Sequence, residues 1–73
     1  MDEFKVGQVW TFGRIFVMVS ELVGPKKIRV GEAEKRGTYY AMISSPERIK
    51  KTNLAGETLV FDTEAEKAGD LNG

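Results

Sequence analysis

The segment Arg14–Val23, RIFVMVSELV, carries the strongest strand signal in the chain and decides its fold. Side chains of a strand alternate between two faces, which places Val17 and Val19 on one face and Phe16 and Met18 on the other. Because both faces are apolar, we expect a central strand that is covered on both sides or curled within a barrel.

Shorter strand signals flank this segment. On its N-terminal side, Gln8–Phe12 is rich in β-forming residues, and Gly13 offers a turn. On its C-terminal side, Gly24 and Pro25 end the strand, and Lys26–Val30 predicts a third strand.

Further along the chain the signals become more polar. Ile28 and Val30 are expected to face inward from the third strand. The charged segment Gly31–Gly37 predicts a loop, and the alternation in Thr38–Ser44 predicts a fourth strand. Tyr39 and Tyr40 would point to opposite faces of that strand, so we expect only one of them to be buried.

A change of signal follows at Ser45. Ser45-Pro46-Glu47 is typical of a helix start, because serine caps free N–H groups and proline suits the first helical position. Lys50 and Lys51 suit the end of a short helix or turn. Glu57–Phe61 then predicts a fifth strand.

These elements predict a mostly β fold, a small five-stranded SH3-like barrel with one short helical turn before the last strand. An OB-like barrel of the same strand count is the rival. We expect one domain over residues 1–61 and a flexible, disordered acidic tail over residues 62–73, where apolar residues are sparse.

The composition excludes several function classes. The chain has 73 residues, no histidine and no cysteine, which excludes disulfide staples, Cys- or His-based metal sites and His-based catalysis. We therefore expect no enzyme, no catalytic residue, no metal and no cofactor. No apolar run reaches the roughly 18 residues of a membrane span, and no secretory signal is visible, so we expect a cytoplasmic protein without membrane contact.

Charge is distributed unevenly although the formal net charge is zero. Residues 24–51 hold eight basic and three acidic residues, whereas residues 52–73 hold one basic and five acidic residues. The basic middle segment supplies most of the candidate partner-binding residues: Lys26, Lys27, Arg29, Arg48, Lys50 and Lys51. Such side chains can contact phosphates if they share a face; the alternative is an ordinary solvated surface.

Two further candidates come from the acidic N-terminus and the aromatic residues. Asp2, Glu3 and Phe4 could form an arm along a barrel edge, the alternative being a frayed end in which Phe4 closes the core. Tyr40 is a candidate anchor for a protein partner, because exposed aromatic residues are enriched at interfaces.

The opening segment Phe4–Phe12, with its Val-Gly-x-Val-Trp pattern, and the long strand Ile15–Val23 resemble small SH3-like barrel proteins of bacteriophages. The length, the β-rich body, the missing Cys and His and the acidic end are similar to the host-RNA-polymerase regulators of lytic Xanthomonas phages. The resemblance covers residues 4–61. It assigns no site residue, and the candidates above come from charge and aromatic patterning alone.

The resemblance implies a non-enzymatic inhibitor and antiterminator that contacts the two large subunits of bacterial RNA polymerase and hinders engagement of the sigma factor. It would act in the cytoplasm of a bacterial host. Separately, the basic residues of the middle segment predict an auxiliary nucleic-acid contact within a larger complex, and we expect a monomer. Two alternatives remain open at this point: a small nucleic-acid-binding accessory domain, and a structural or assembly subunit.

Overall fold

A computed structural model describes residues 4–62 and shows one open antiparallel sheet of six strands. The elements are β1 (Val9–Phe12), β2 (Ile15–Leu22), β3 (Lys27–Arg36), β4 (Tyr39–Met42), β5 (Glu47–Lys50), a 3₁₀ turn (Lys51–Leu54) and β6 (Leu59–Phe61). The strand order is β4-β3-β2-β1-β6, with β5 also paired to β3. The mostly β prediction is confirmed, whereas Asp2, Glu3 and the predicted tail beyond Asp62 lie outside the described residues.

Strand β2 is central, as its two apolar faces predict. It pairs with β1 on one side and with β3 on the other. Val17 and Val19 are buried on the side of the sheet that we call the core face. Ile28 and Val30 of β3 are buried beside them, in agreement with the sequence.

The core is closed by residues from outside the strands. Phe4 covers one end and packs its ring 4.8 Å from that of Trp10, centroid to centroid. Leu54 is the last residue of the 3₁₀ turn, and its almost fully buried side chain packs in the core. The buried Gln8 holds the N-terminal segment in place, because its Oε1 accepts hydrogen bonds from the Lys5 N–H (2.9 Å) and from the Trp10 indole N–H (3.3 Å).

The opposite side of the sheet, which we call the aromatic face, carries a second cluster. The ring of Tyr40 lies 5.5 Å from that of Phe16 and 5.7 Å from that of Phe61. Tyr40 belongs to β4 and Phe61 to β6, the two ends of the strand order. Neighbouring strands are about 4.8 Å apart, so these rings can meet only because the sheet curls strongly.

The predicted loop at Gly31–Gly37 is wrong, because β3 continues to Arg36. Its C-terminal half pairs with β4 from Ala33 to Arg36. The exposed side chains there are polar, and Glu34 and Arg36 form an ion pair at 2.7 Å. The charged residues therefore lie at the solvent-exposed end of a strand. The composition of such an end is the same as that of a loop, so the pattern predicted a loop.

The predicted helix start at Ser45–Glu47 is also wrong. Residues Glu47–Lys50 form β5, and the helical turn begins only at Lys51, still ahead of the last strand as predicted. In β5, Ile49 lies opposite Ile28 and packs against the core. Burial of this apolar pair and the backbone pairing of β5 outweigh the local capping signal, since tertiary context overrides propensity.

Strands β4 and β5 lie along the same edge of β3, the edge opposite β2. Between them the chain stays close to β3: the Ile43 N–H donates to the Glu32 carbonyl (2.7 Å), and the Glu32 N–H donates to Ser44 Oγ (2.8 Å). Pro46 has no N–H to continue the ladder. The fourth predicted strand and the predicted helix are thus two halves of one interrupted strand, which accounts for six strands instead of five.

This close passage requires glycine at position 31. A Cβ placed there would lie 2.6 Å from Met42 Sδ and 2.8 Å from the Ser44 carbonyl oxygen. The methionine side chain can move, but the carbonyl belongs to the backbone that β3 holds in place. Any larger residue would therefore push the β4–β5 connection away from β3.

We expect Gly31→Ala to lower the free energy of unfolding by about 1–3 kcal/mol, the usual cost of overpacking a filled site. Urea unfolding followed by Trp10 fluorescence measures this change. Gly24→Ala is the matched control, because no atom lies within 4 Å of a Cβ at that position. Equal stability of the two variants would show that the passage at Gly31 is not tight.

Candidate functional site

The pairing of β3 with β5 gathers the basic residues of the middle segment. Lys27 lies opposite Lys50, and Arg29 lies opposite Arg48. Directly opposed residues and residues two apart on a strand share a face, so these four side chains form a two-by-two array. The intervening Ile28 turns the other way into the core.

Lys26 and Lys51 extend this array at one end. The Lys51 N–H donates to the Lys26 carbonyl at 2.9 Å, which joins the β2–β3 turn to the start of the 3₁₀ turn. We call the assembled set the basic surface. It comprises Lys26, Lys27, Arg29, Arg48, Lys50 and Lys51.

Two open clefts cross the basic surface. The first has a volume of about 590 Å³ and is lined by Pro25, Lys26, Lys27, Lys50, Lys51, Thr52 and Ala55. The second, of about 440 Å³, is lined by Lys27, Arg48, Ile49, Lys50 and Asn53. Among the described residues, neither cleft is lined by a carboxylate or an aromatic ring. Both present cations beside a neutral polar residue, Thr52 or Asn53, and apolar surface that includes Pro25, Ala55 and Ile49.

Strand alternation separates the acidic residues of the middle segment from the basic surface. Glu47 lies opposite Val30 and Glu32 opposite Val17, so both carboxylates are on the core-face side of the sheet. Glu34 pairs with Arg36 at the far end of β3. The three acidic residues counted in residues 24–51 therefore do not lie among the cations of the basic surface.

Within residues 4–62, the basic surface has one ion pair with a carboxylate. Arg29 Nη1 lies 3.5 Å from Glu21 Oε1, and both side chains are partly exposed. Such exposed pairs contribute little to stability. Like charges directly opposite on paired strands are destabilising, so fold stability alone does not account for this arrangement.

The other predicted site residues are not part of the basic surface. Phe4 is buried in the core, as the alternative interpretation of the N-terminal segment held, and its ring offers no surface to a partner. Tyr40 is half-buried between Phe16 and Phe61, where it links the two ends of the sheet. Asp2 and Glu3 precede the described residues.

Sequence reasoning missed a second surface, at the edge strand β4. Within residues 4–62, this strand pairs with β3 alone. Tyr39 is 56% exposed and Ile43, just beyond the strand end, is 47% exposed. These two residues are four positions apart, an even number, so their side chains lie on the same side of the sheet. The alternation in Thr38–Ser44 contained this signal, but it could not tell which tyrosine faces solvent.

No helix within residues 4–62 is long and apolar enough to cross a membrane. Nor do three acidic side chains of that range come together in a way that could hold a metal ion.

Comparison of the chain with protein-family models, with curated proteins and with solved structures finds no match. The basic surface and the β4 edge are therefore the features of the molecule that bear on its function.

We expect Lys50→Glu to stabilise the fold, because it replaces a repulsive pair with Lys27 by an attractive one. The gain should be no more than about 1 kcal/mol and should shrink as salt screens the charges. Thermal unfolding at low and high ionic strength measures both effects.

Lys35→Glu is the control, since it makes the same charge change opposite Tyr40, away from the basic surface. A loss of stability in Lys50→Glu at low salt, or a gain that does not depend on salt, would contradict the repulsion inferred between β3 and β5.

Proposed function

We propose that this protein is a non-enzymatic regulator that binds bacterial RNA polymerase and inhibits or modifies transcription. The observation that carries the proposal is the β4 edge, an exposed strand edge flanked by the accessible side chains of Tyr39 and Ile43. An edge strand can add to a strand of a partner through main-chain hydrogen bonds. Exposed aromatic and aliphatic side chains beside it supply the anchors that dominate interface energies.

The strand arrangement supports the finer fold assignment that accompanies this proposal. We propose an SH3-like barrel, in which β4 and β5 are the two halves of the fourth strand and the 3₁₀ turn precedes the last. The contact between Tyr40 and Phe61 supports a strongly curled, partly open barrel, because it joins side chains of the two end strands while the backbone of β4 pairs with β3 alone among residues 4–62. The resemblance to phage polymerase regulators covers this same part of the chain.

The proposed mechanism involves binding alone and no catalytic step. A domain of this size can bury about 800 Å² on one partner, the standard area of a specific interface. Docked as a monomer on the large subunits in the bacterial cytoplasm, it would hinder engagement of the sigma factor by occupying space. Charged regions of the surface would steer and orient the encounter more than they tighten it.

Retention of RNA polymerase on immobilised protein, from a nuclease-treated bacterial lysate, tests the proposal. We expect the large subunits to be retained and sigma-dependent initiation by purified polymerase to fall when the protein is added. We further expect the double variant Tyr39→Ser/Ile43→Ser to bind at least about tenfold more weakly, the effect of losing an interface anchor.

Leu22→Ser is the control, because Leu22 is 48% exposed and lies on β2, away from the β4 edge. Failure to retain polymerase would reject the proposed function. Self-association without polymerase binding would instead favour a structural or assembly subunit. Full retention of polymerase by the edge variant would show that another surface makes the contact.

A further inference from the structure

We propose that the basic surface binds the phosphate backbone of nucleic acid without reading its sequence. This inference goes beyond the proposed function and stands on a different surface from the β4 edge. It rests on the two-by-two array of Lys27, Arg29, Arg48 and Lys50, and on the clefts that Lys26 and Lys51 complete.

The spacing of the array suits a linear polyanion. Alternate residues of one strand are about 6.7 Å apart, and directly opposed residues are about 5 Å apart. The four cationic groups therefore form a compact patch on a rigid two-stranded element, and the two lysines at the turns lengthen it. An extended chain of phosphates can contact such a patch at several points at once.

The chemistry of the lining favours phosphates over an acidic protein surface. The centres of protein interfaces are depleted in charged residues, and in lysine especially, and they need apolar anchors. Most residues lining the two clefts are lysine or arginine, with the Thr52 hydroxyl and the Asn53 amide beside them, and the apolar residues there are the small Pro25 and Ala55 and the half-buried Ile49, none of them an exposed large anchor. These are the side chains that contact phosphate and sugar oxygens in nucleic-acid complexes.

The lining also explains why sequence would not be read. Among residues 4–62, no aromatic side chain lines either cleft, so bases have no ring to stack on. Contacts confined to phosphates position a protein on nucleic acid but carry no sequence information. About four such contacts on a single strand predict a slope near −3 in a plot of log K against log salt concentration.

Fluorescence anisotropy of the full chain with labelled single-stranded RNA of about 16 nucleotides, between about 50 and about 200 mM salt, tests the inference. We expect saturable binding at low salt with the slope given above. Two RNAs of unrelated sequence should bind within about twofold of each other, since phosphate contacts do not distinguish bases.

Three variants locate the binding on the basic surface. Lys50→Glu should weaken binding at least about tenfold and make the salt slope shallower by one unit or more. Its fold is expected to be stabilised, so unfolding would not explain the loss. Lys50→Arg keeps the charge and should bind normally, and Lys35→Glu should bind within about twofold of the unchanged protein because it lies outside the surface.

Several results would overturn the inference. They are the absence of saturable binding at the lowest salt, an unchanged slope in Lys50→Glu, and a strong preference for one RNA sequence. The same variant separates this proposal from the proposed function, because it should still retain polymerase from nuclease-treated lysate. If Lys50→Glu lost polymerase and the unchanged protein bound no RNA, the basic surface would belong to the protein interface instead.

Discussion

The structure depends on one close passage, where the chain leaving β4 runs beside Gly31 of β3. The absence of a Cβ at this position lets the Ser44 carbonyl approach, and the hydrogen bonds between Glu32 and the Ile43–Ser44 segment keep the connection on the strand. The chain therefore stays along one edge of β3 and pairs with it twice. Without the second pairing, the cations of β5 would have no fixed position relative to those of β3.

The pairing of β5 with β3 places apolar side chains together on one side of the sheet and like charges together on the other. On the core face, the half-buried Ile49 packs opposite the fully buried Ile28, and full burial of one such side chain stabilises by about 1.5–3 kcal/mol. On the other side, Lys27 faces Lys50 and Arg29 faces Arg48, and each like-charge pair opposes the pairing by up to about 1 kcal/mol. Apolar burial thus exceeds the repulsion, and the strand can carry an array of like charges.

The sequence predicted what depends on local pattern and missed what depends on long-range pairing. The apolar alternation of Arg14–Val23 was enough to place β2 at the centre of the sheet. The capping signal at Ser45–Glu47 was misleading, because no local pattern shows that Ile49 lies opposite Ile28. The sequence named the six cations as candidates, but it did not predict how the strands bring them together, since that requires β5 to be a strand and Glu47 to face away.

The two surfaces are consecutive along the chain, which affects how they could work together. Residues 39–43 expose the β4 edge, and residues 48–50 form one side of the basic surface, both along a single interrupted strand beside β3. A rigid sheet fixes the distance between them, so contact at one surface sets the position of the other. Linked contacts raise overall affinity through effective concentration. A phosphate contact that is weak alone would therefore become significant where nucleic acid runs close to a bound protein partner.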